Sequence, residues 1–268
     1  MGSKAKTGLF PTRDNDVPYS CKKRACRSAG PRRDGSTELV ADSGGRVRLR
    51  KPWLIALLML AMAVYLGLWI GWTMHWDWLD AIDSRALDAA YRFGVDRPGW
   101  VTFWNVLCTV LGPTAFRIVG LIVIVVALRR RQLRLALFLV LCVELSGLIT
   151  ETLKVAAGRP RPLTALVFAP SSAFPSGHAL GVMASVLALT VVVLPLVRRA
   201  RWGWVIASGV VIVLLVGVGR VVLNVHHPSD VLAGWAAGYL WFTVSLLVLT
   251  RPPVTAEDEI PVVPDSGH

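Results

Sequence analysis

Three segments that lie far apart in the chain concentrate cations, histidines and one carboxylate. Lysine and arginine supply positive charge, and the arginine fork matches the oxygens of a phosphate group. A serine and a glycine stand at a helix start, where free backbone N–H groups attract an anion and glycine permits its close approach. This combination predicts a phosphate-binding site, and its members are Lys154, Arg161, Ser176, Gly177, His178, Arg220, His226 and Asp230.

Two histidines give such a site the means to break a phosphate ester. A histidine beside a carboxylate, as at His226 and Asp230, is held in one tautomer and can act as a base or a nucleophile. A second histidine, His178, can donate a proton to the leaving oxygen. Because the set contains both a nucleophile and an acid, we predict no metal and no cofactor.

The elements that must position these residues are strongly apolar. Hydrophobic residues make up 54% of the chain, and a helix needs roughly 20 apolar residues to cross a bilayer. The first apolar run is too long and too far from the N-terminus for an ordinary signal peptide. The sequence predicts an all-α integral membrane bundle of about six transmembrane helices, over residues 53–74, 105–128 (kinked at Gly112-Pro113), 135–155, 178–197, 203–222 and 230–250.

Basic loops predict the orientation of this bundle. Arginines at 129–134 and 198–201 lie on the same side as the N-terminal tail, and an excess of Lys and Arg is typical of the cytoplasmic side. The loops at 75–100, 156–177 and 223–229 then face outward. We therefore predict a multi-pass plasma-membrane protein with both termini in the cytoplasm and its active site at the outer face.

The segments that flank the bundle are polar. Residues 1–51 hold 13 Lys or Arg against 5 Asp or Glu, which predicts a disordered basic cytoplasmic tail. Residues 52–250 form the predicted membrane domain, and 251–268 a short cytoplasmic tail. The net charge of +12 is not interleaved with aromatic residues as in a base-stacking surface, so no nucleic-acid partner is predicted.

Residues 75–100 mix charged and apolar residues between the first two spans. Their spacing predicts an amphipathic helix at the membrane interface, and three tryptophans fit an interfacial belt. The apolar face is predicted from Leu79, Ile82, Leu87 and Ala90.

The spacing within the three polar segments resembles the type 2 phosphatidic acid phosphatase family, which is related to vanadium haloperoxidases. Each motif alone has an ordinary interpretation, such as a headgroup anchor or a helix cap, but three in the right order at one membrane face are specific. The resemblance covers about residues 150–235. The three matches are Lys154-x6-Arg161-Pro162, Pro175-Ser176-Gly177-His178 and Arg220-x5-His226-x3-Asp230.

The resemblance implies a role for each residue. His226 attacks phosphorus and becomes phosphohistidine, while Asp230 orients His226 and stabilises its positive charge. His178 protonates the leaving group and then activates the water that cleaves phosphohistidine. The phosphoryl oxygens are held by Lys154, Arg161, Ser176, Gly177 and Arg220.

The function implied by the resemblance is hydrolysis of a lipid phosphate ester or diphosphate in the bilayer. A polyprenyl diphosphate is favoured, because outward-facing bacterial members often recycle that carrier; phosphatidylglycerophosphate and phosphatidic acid are the other candidates. One alternative is a lipid phosphotransferase that uses the same histidine. The other is a non-enzymatic lipid-phosphate-binding protein, which would not need paired histidines. The sequence carries no signal for the oligomeric state.

Three residues near the motifs fall outside them. Gly219 stands where the family usually has serine, so we expect weaker phosphate binding or a compensating backbone N–H. Arg159 lies two residues before Arg161 and does not fit the motif spacing. It is interpreted as a secondary substrate contact or an interfacial residue. His227 is not assigned to catalysis, because spacing selects His226.

Two charges lie inside apolar runs. Arg117 and Glu144 are each 11 residues from the inner end of their spans, about 16 Å from the inner surface. Charges at that depth are costly and usually paired. We therefore predict an Arg117–Glu144 ion pair.

Overall fold

The computed structural model describes residues 52–250, with side chains from Trp53 to Leu247. The two tails, 1–51 and 251–268, lie outside the described residues. The regular structure of the described part is helical and includes no strand. The all-α prediction is therefore confirmed for this part of the chain.

The described residues form nine α-helices: α1 (Pro52–Thr73), α2 (Asp77–Gly94), α3 (Pro98–Val110), α4 (Pro113–Arg129), α5 (Leu133–Leu139), α6 (Ser146–Ala157), α7 (Gly177–Val193), α8 (Trp202–Val222) and α9 (Pro228–Thr250). Six stretches are long and apolar enough to cross a membrane: Trp53–Thr73, Pro98–Arg129, Leu133–Ala157, Gly177–Leu196, Arg199–Val222 and Pro228–Leu247. They match the six predicted spans, and the chain is a multi-pass membrane protein.

Two of these spans are interrupted. At the predicted kink, α3 ends at Val110 and α4 begins with Pro113, because proline has no N–H with which to continue the helix. In the next span, a π-helical turn, Val140–Glu144, separates α5 from α6. A π-turn holds more residues than an α-turn and therefore changes which way the following side chains point.

Helix α7 lies against four other helices, α4, α6, α8 and α9, and packs most extensively against α9. Gly234 and Gly238 make this close packing possible. A Cβ atom at either glycine would lie 2.6 Å from a backbone carbonyl oxygen, that of Ser176 or of Leu180. Glycines four residues apart let two membrane helices approach this closely. The start of α7 is thereby fixed beside the start of α9, where the second and third motifs lie.

Helix α2 packs against α8 and α9. Its buried face consists of Leu79, Asp83 and Leu87, whose spacing of four residues places them above one another on one side of the helix. The predicted amphipathic helix is therefore present, but one member of its face was wrong. Ile82 is 52% exposed, whereas Asp83 is 1% exposed.

Candidate active site

His226 lies in the connection between α8 and α9 and is 1% exposed. Its Nε2 atom is 3.2 Å from Nη1 of Arg161, and its Nδ1 atom is 3.7 Å from Oδ2 of Asp230. A guanidinium group only donates hydrogen bonds, so Nε2 is the acceptor in this contact. The proton of the neutral ring is then assigned to Nδ1, facing the carboxylate. The lone pair of Nε2 points toward Arg161.

The protonation of His226 follows from its surroundings. Burial is the main cause that lowers its pKa from 6.5 to about 4. Asp230 raises the pKa, and the positive charges of Arg220 and Arg161 lower it. The ring is therefore neutral at pH 7, as a nucleophilic imidazole must be.

Asp230 is held by donors other than His226. Its Oδ1 atom accepts a hydrogen bond from Nη1 of Arg159 at 2.7 Å. Its Oδ2 atom lies 2.8 Å from the backbone N–H of His227 and 3.0 Å from Nδ1 of the same residue. At 3.7 Å, the Nδ1 atom of His226 is beyond hydrogen-bond distance, so the carboxylate acts on that ring through its charge. His227 thus holds Asp230 in place at the first turn of α9.

Three cationic side chains of the motifs, Lys154, Arg161 and Arg220, line the same cavity as His226. Lys154, at the end of α6, donates from Nζ to Oγ of Ser171 at 2.7 Å. Arg161 is fixed by the carbonyl oxygens of Ser171, Val225 and Pro170, at 2.9, 2.7 and 3.2 Å. Arg220 is 7% exposed, and its buried Nε has no hydrogen-bond partner among the described residues. A buried donor without a partner is costly, so Arg220 is free to bind an anion.

The start of α7 adds backbone donors to this group. The hydroxyl of Ser176 caps the helix by accepting from the N–H of Ala179 at 3.5 Å, and the N–H of Ser176 binds the carbonyl oxygen of Asp230 at 2.9 Å. The first N–H groups of a helix, here those of Gly177 and His178, have no intrahelical acceptor. Both residues line the cavity described below, so these amides can bind an anion.

One cavity of about 400 Å³ connects most of the predicted residues. Its lining includes Lys154, Arg161, Gly177, His178, Arg220 and His226. Ser176 is fully buried behind it as the helix cap, and Asp230 lies behind His226. A larger groove of about 610 Å³ lies near the far end of α7 and is mainly apolar. That groove contains neither histidine nor carboxylate, so it is not the candidate site.

Sequence reasoning missed a buried ionic network behind the cavity. Arg159 is 2% exposed, and besides Asp230 it contacts Oδ2 of Asp83 through Nη2 at 2.9 Å and Oγ of Ser229 through Nη1 at 2.7 Å. Asp83 also accepts from the backbone N–H of Ser229 at 3.0 Å. Arg159 is therefore neither interfacial nor part of the cavity lining. The available signal was the position of Asp83 between Leu79 and Leu87 on the apolar face of α2.

Gly219 has a packing explanation. A Cβ atom there would lie 2.5 Å from Sγ of Cys108 and 2.9 Å from Cε3 of Trp104. Both side chains belong to α3 and are buried against α8. The space that a serine side chain would need is therefore filled by α3, which sequence spacing did not reveal.

The predicted Arg117–Glu144 ion pair is only partly confirmed, because the charge of Arg117 acts on Glu144 without a direct contact. The two side chains form no salt bridge, and the buried Nε of Arg117 and Oε1 of Glu144 have no hydrogen-bond partner within the described part of the chain. The prediction assumed a continuous α-helix. The π-helical turn Val140–Glu144 changes the direction of Glu144, and the guanidinium of Arg117 lies against Gly147 instead.

Comparison with known proteins identifies relatives that share this region. The undecaprenyl-diphosphatase of Sulfolobus acidocaldarius is 33% identical over 81 residues, which cover 30% of this chain and 35% of the relative. The lipid A 1-phosphatase of Rhizobium johnstonii is 34% identical over 125 residues, which cover 42% of this chain and 48% of the relative. Phosphatidylglycerophosphatase B of Bacillus subtilis is 37% identical over 99 residues, which cover 35% of this chain and 48% of the relative. The matches thus span between a third and a half of each relative.

A solved structure shares the fold. It is the crystal structure of a transmembrane PAP2-type phosphatidylglycerolphosphate phosphatase from Bacillus subtilis, with a TM-score of 0.58 and 23% identity. The match covers 72% of this chain and 93% of that one. The PAP2 superfamily model matches residues 135–252, a segment that contains all three motifs. Residues 135–252 therefore match the PAP2 superfamily, the family that the motifs predict.

Proposed function

We propose that this protein is a membrane-bound hydrolase of lipid phosphate esters or diphosphates, with His226 as its nucleophile. The observation that supports the proposal best is the neutral ring of His226, whose Nε2 atom faces Arg161 in a cavity that also contains the other two cations of the motifs. Lys154, Arg161 and Arg220 supply charge, and the first amides of α7 supply further donors. Such a site stabilises charge on phosphoryl oxygens by fixed position, as phosphoryl transfer requires.

The first chemical step transfers the phosphoryl group to His226. The bound anionic phosphate offsets the charge of the cations and favours a protonated His178. Nε2 attacks phosphorus, the bond between phosphorus and the leaving oxygen breaks, and the protonated His178 donates its proton to that oxygen. The carboxylate of Asp230, 3.7 Å from Nδ1, offsets the positive charge that develops on the ring. Since Arg161 already lies 3.2 Å from Nε2, a phosphate oxygen bound to Arg161 would bring phosphorus within reach of the ring.

The second step returns His226 to its starting state. His178, now neutral, accepts a proton from a water molecule, and the water oxygen attacks phosphorus. The phosphorus–nitrogen bond then breaks and inorganic phosphate leaves. None of these steps uses a metal ion, so activity in a chelator is expected.

The proposed substrate is a phosphorylated lipid at the outer surface of the plasma membrane. The names of the relatives include an undecaprenyl-diphosphatase, a phosphatidylglycerophosphatase and a lipid A 1-phosphatase, and each name describes a lipid phosphate. A polyprenyl diphosphate is favoured, and the charge of the basic loops supports an outer position for the cavity. Both tails then lie in the cytoplasm.

The test is phosphate release by the purified full-length protein in detergent, measured with EDTA on polyprenyl diphosphate, phosphatidylglycerophosphate and phosphatidic acid. We expect release from at least one lipid, and loss of turnover by about 10⁴-fold or more in His226→Ala. His75→Asn is the matched control, because His75 is exposed and lies outside the cavity.

The outcomes separate the alternatives. Release that increases only when an alcohol acceptor is added would indicate a phosphotransferase. Lipid binding without turnover in the native protein would indicate a binding protein. Full turnover by His226→Ala would contradict the proposed nucleophile.

A further inference from the structure

The active-site cavity contains a fourth cation that belongs to none of the motifs. Arg117, on the second turn of α4, lines the same cavity as Lys154, Arg161 and Arg220. Its buried Nε has no hydrogen-bond partner in the described structure. Its charge acts on Glu144, but the two side chains form no salt bridge. A charged side chain within a membrane span is costly unless it serves a function or has a partner.

The position of Arg117 is built into the fold. A Cβ atom at Gly147 would collide with the guanidinium group of Arg117, so the absence of a side chain at position 147 provides the space that the guanidinium occupies. Gly147 also lines the cavity. No other residue type at position 147 would leave the guanidinium where it lies.

Arg117 lies deeper in the membrane than the cations of the motifs. Gly147 precedes Lys154 by seven residues on α6, and at 1.5 Å per residue the two are about 10 Å apart along the helix. Lys154 is near the loop end of its span, which ends at Ala157. The guanidinium beside Gly147 is therefore on the apolar side of the scissile phosphate, where the leaving group and its lipid chain must lie.

We propose that Arg117 binds a second anionic group of the substrate, one that remains on the leaving group between the cleaved phosphate and the lipid chain. The inference rests on the proposed function and selects among its substrates. A prenyl diphosphate and phosphatidylglycerophosphate both carry such a second phosphate, whereas phosphatidic acid and a prenyl monophosphate do not. An arginine fork suits either a diphosphate or a phosphodiester oxygen pair.

The test compares substrates that share a tail but differ by one phosphate. The kcat/KM of Arg117→Gln is measured on the diphosphate and monophosphate of one prenyl alcohol, and on phosphatidylglycerophosphate and phosphatidic acid. We expect a loss of about tenfold or more on the substrates with two phosphates, since charge-assisted hydrogen bonds are lost. The single-phosphate substrates should change by less than about threefold. The two pairs together show whether the second group is a diphosphate or a phosphodiester.

Two further variants guard against a loss of folding. Gly147→Ala retains Arg117 but displaces its guanidinium, so it should reproduce the selective loss. Arg117→Lys keeps the charge and should recover part of the activity on two-phosphate lipids. Arg92→Gln, an exposed arginine on α2 outside the cavity, should leave every substrate unchanged.

The results that overturn the inference differ from those that overturn the proposed function. Native protein that releases no phosphate from any lipid contradicts the function. Active native protein with an equal loss on both members of each pair, or no loss on either, in Arg117→Gln contradicts only the role of Arg117. Native protein that is active only on single-phosphate lipids would also contradict the role of Arg117 but not the proposed function.

Discussion

At the scale of single residues, the environment of His226 determines which ring nitrogen can react. Arg161 on one side can only donate a hydrogen bond, and Asp230 on the other carries negative charge. Together they favour the neutral tautomer with its proton on Nδ1 and its lone pair on Nε2. Because the ring is almost completely buried, this selection does not depend on solvent.

The low pKa of His226 leads to a prediction about pH. Its value of about 4 in the folded protein, against 6.5 ordinarily, means that the ring stays neutral as the pH falls from 7 to 5. Between pH 6.5 and 4 the unfolded chain binds a proton that the native chain does not, so this group lowers the free energy of unfolding as the pH falls. Histidine ¹⁵N NMR in detergent should show, below pH 5, a neutral ring with Nδ1 protonated that belongs to His226.

The chain has five histidines, so the neutral signal must be assigned to one of them. The control is His226→Gln, in which the signal of His226 should be absent. The signal that is missing from the variant is the signal of His226. If that signal titrates near pH 6.5 in the native protein, burial does not control the pKa of the ring.

Gly219 allows a second prediction at this scale. Restoring the family serine with Gly219→Ser forces its Cβ against Cys108 and Trp104, and such overpacking typically costs about 1–3 kcal/mol. The melting temperature should fall and phosphate release should not improve. Cys108→Ala should relieve part of this cost, so the double variant should be more stable than the two single effects together imply. Simple additivity would contradict the proposed clash.

At the scale of helices, α2 does more than lie beside the bundle. Through Asp83 it binds Ser229 at the start of α9 and Arg159 in the connection between α6 and α7. Arg159 in turn holds Asp230, the residue behind His226. The first and third motifs are therefore connected through an acid that belongs to neither of them. Trp72 covers the Arg159 guanidinium at 4.8 Å, which adds a cation–π contact.

This network predicts the effect of Asp83→Asn. The variant removes a buried negative charge from Arg159 and one acceptor from Ser229, and breaking a buried ion pair costs on the order of 3 kcal/mol. We expect a lower melting temperature and a lower kcat for phosphate release, because Asp230 loses part of its support. Asp88→Asn, an exposed carboxylate on the same helix, should change stability by less than about 0.5 kcal/mol. Equal effects of the two changes would show that the network has no special role.

The helices and the motifs differed in how well the sequence predicted them. The six spans follow from apolar length alone, so five were predicted within about four residues, whereas the second begins at Pro98 and not at the predicted residue 105. The break at Pro113 was also predicted. The partners of Asp83 could not be predicted, because Arg159 and Ser229 are more than 70 residues away in the chain. Arg117 and Glu144 interact through their charges without the predicted direct contact, and the π-helical turn at Glu144 leaves no clear trace in the sequence.

At the scale of the whole molecule, the helices bring the three motifs to one end of the bundle. The close contact of α7 with α9 brings the second motif beside the third. The N–H of Ser176 donates a hydrogen bond to the carbonyl oxygen of Asp230 at 2.9 Å across this contact. The arginine-rich loops lie at the opposite end of the same helices. The side of the membrane on which those loops lie therefore decides which leaflet supplies the substrate.

Cysteine labelling of intact cells tests this orientation. In a background with Cys21 and Cys26 changed to serine, Leu163→Cys places a thiol at a fully exposed position of the loop between α6 and α7. Arg130→Cys places one in the exposed loop after α4. The remaining cysteines, Cys108 and Cys142, are buried. A membrane-impermeant maleimide should label Leu163→Cys on intact cells and Arg130→Cys only after the membrane is permeabilised. The reverse pattern would place the cavity at the inner leaflet, where a lipid at the outer surface could not reach His226.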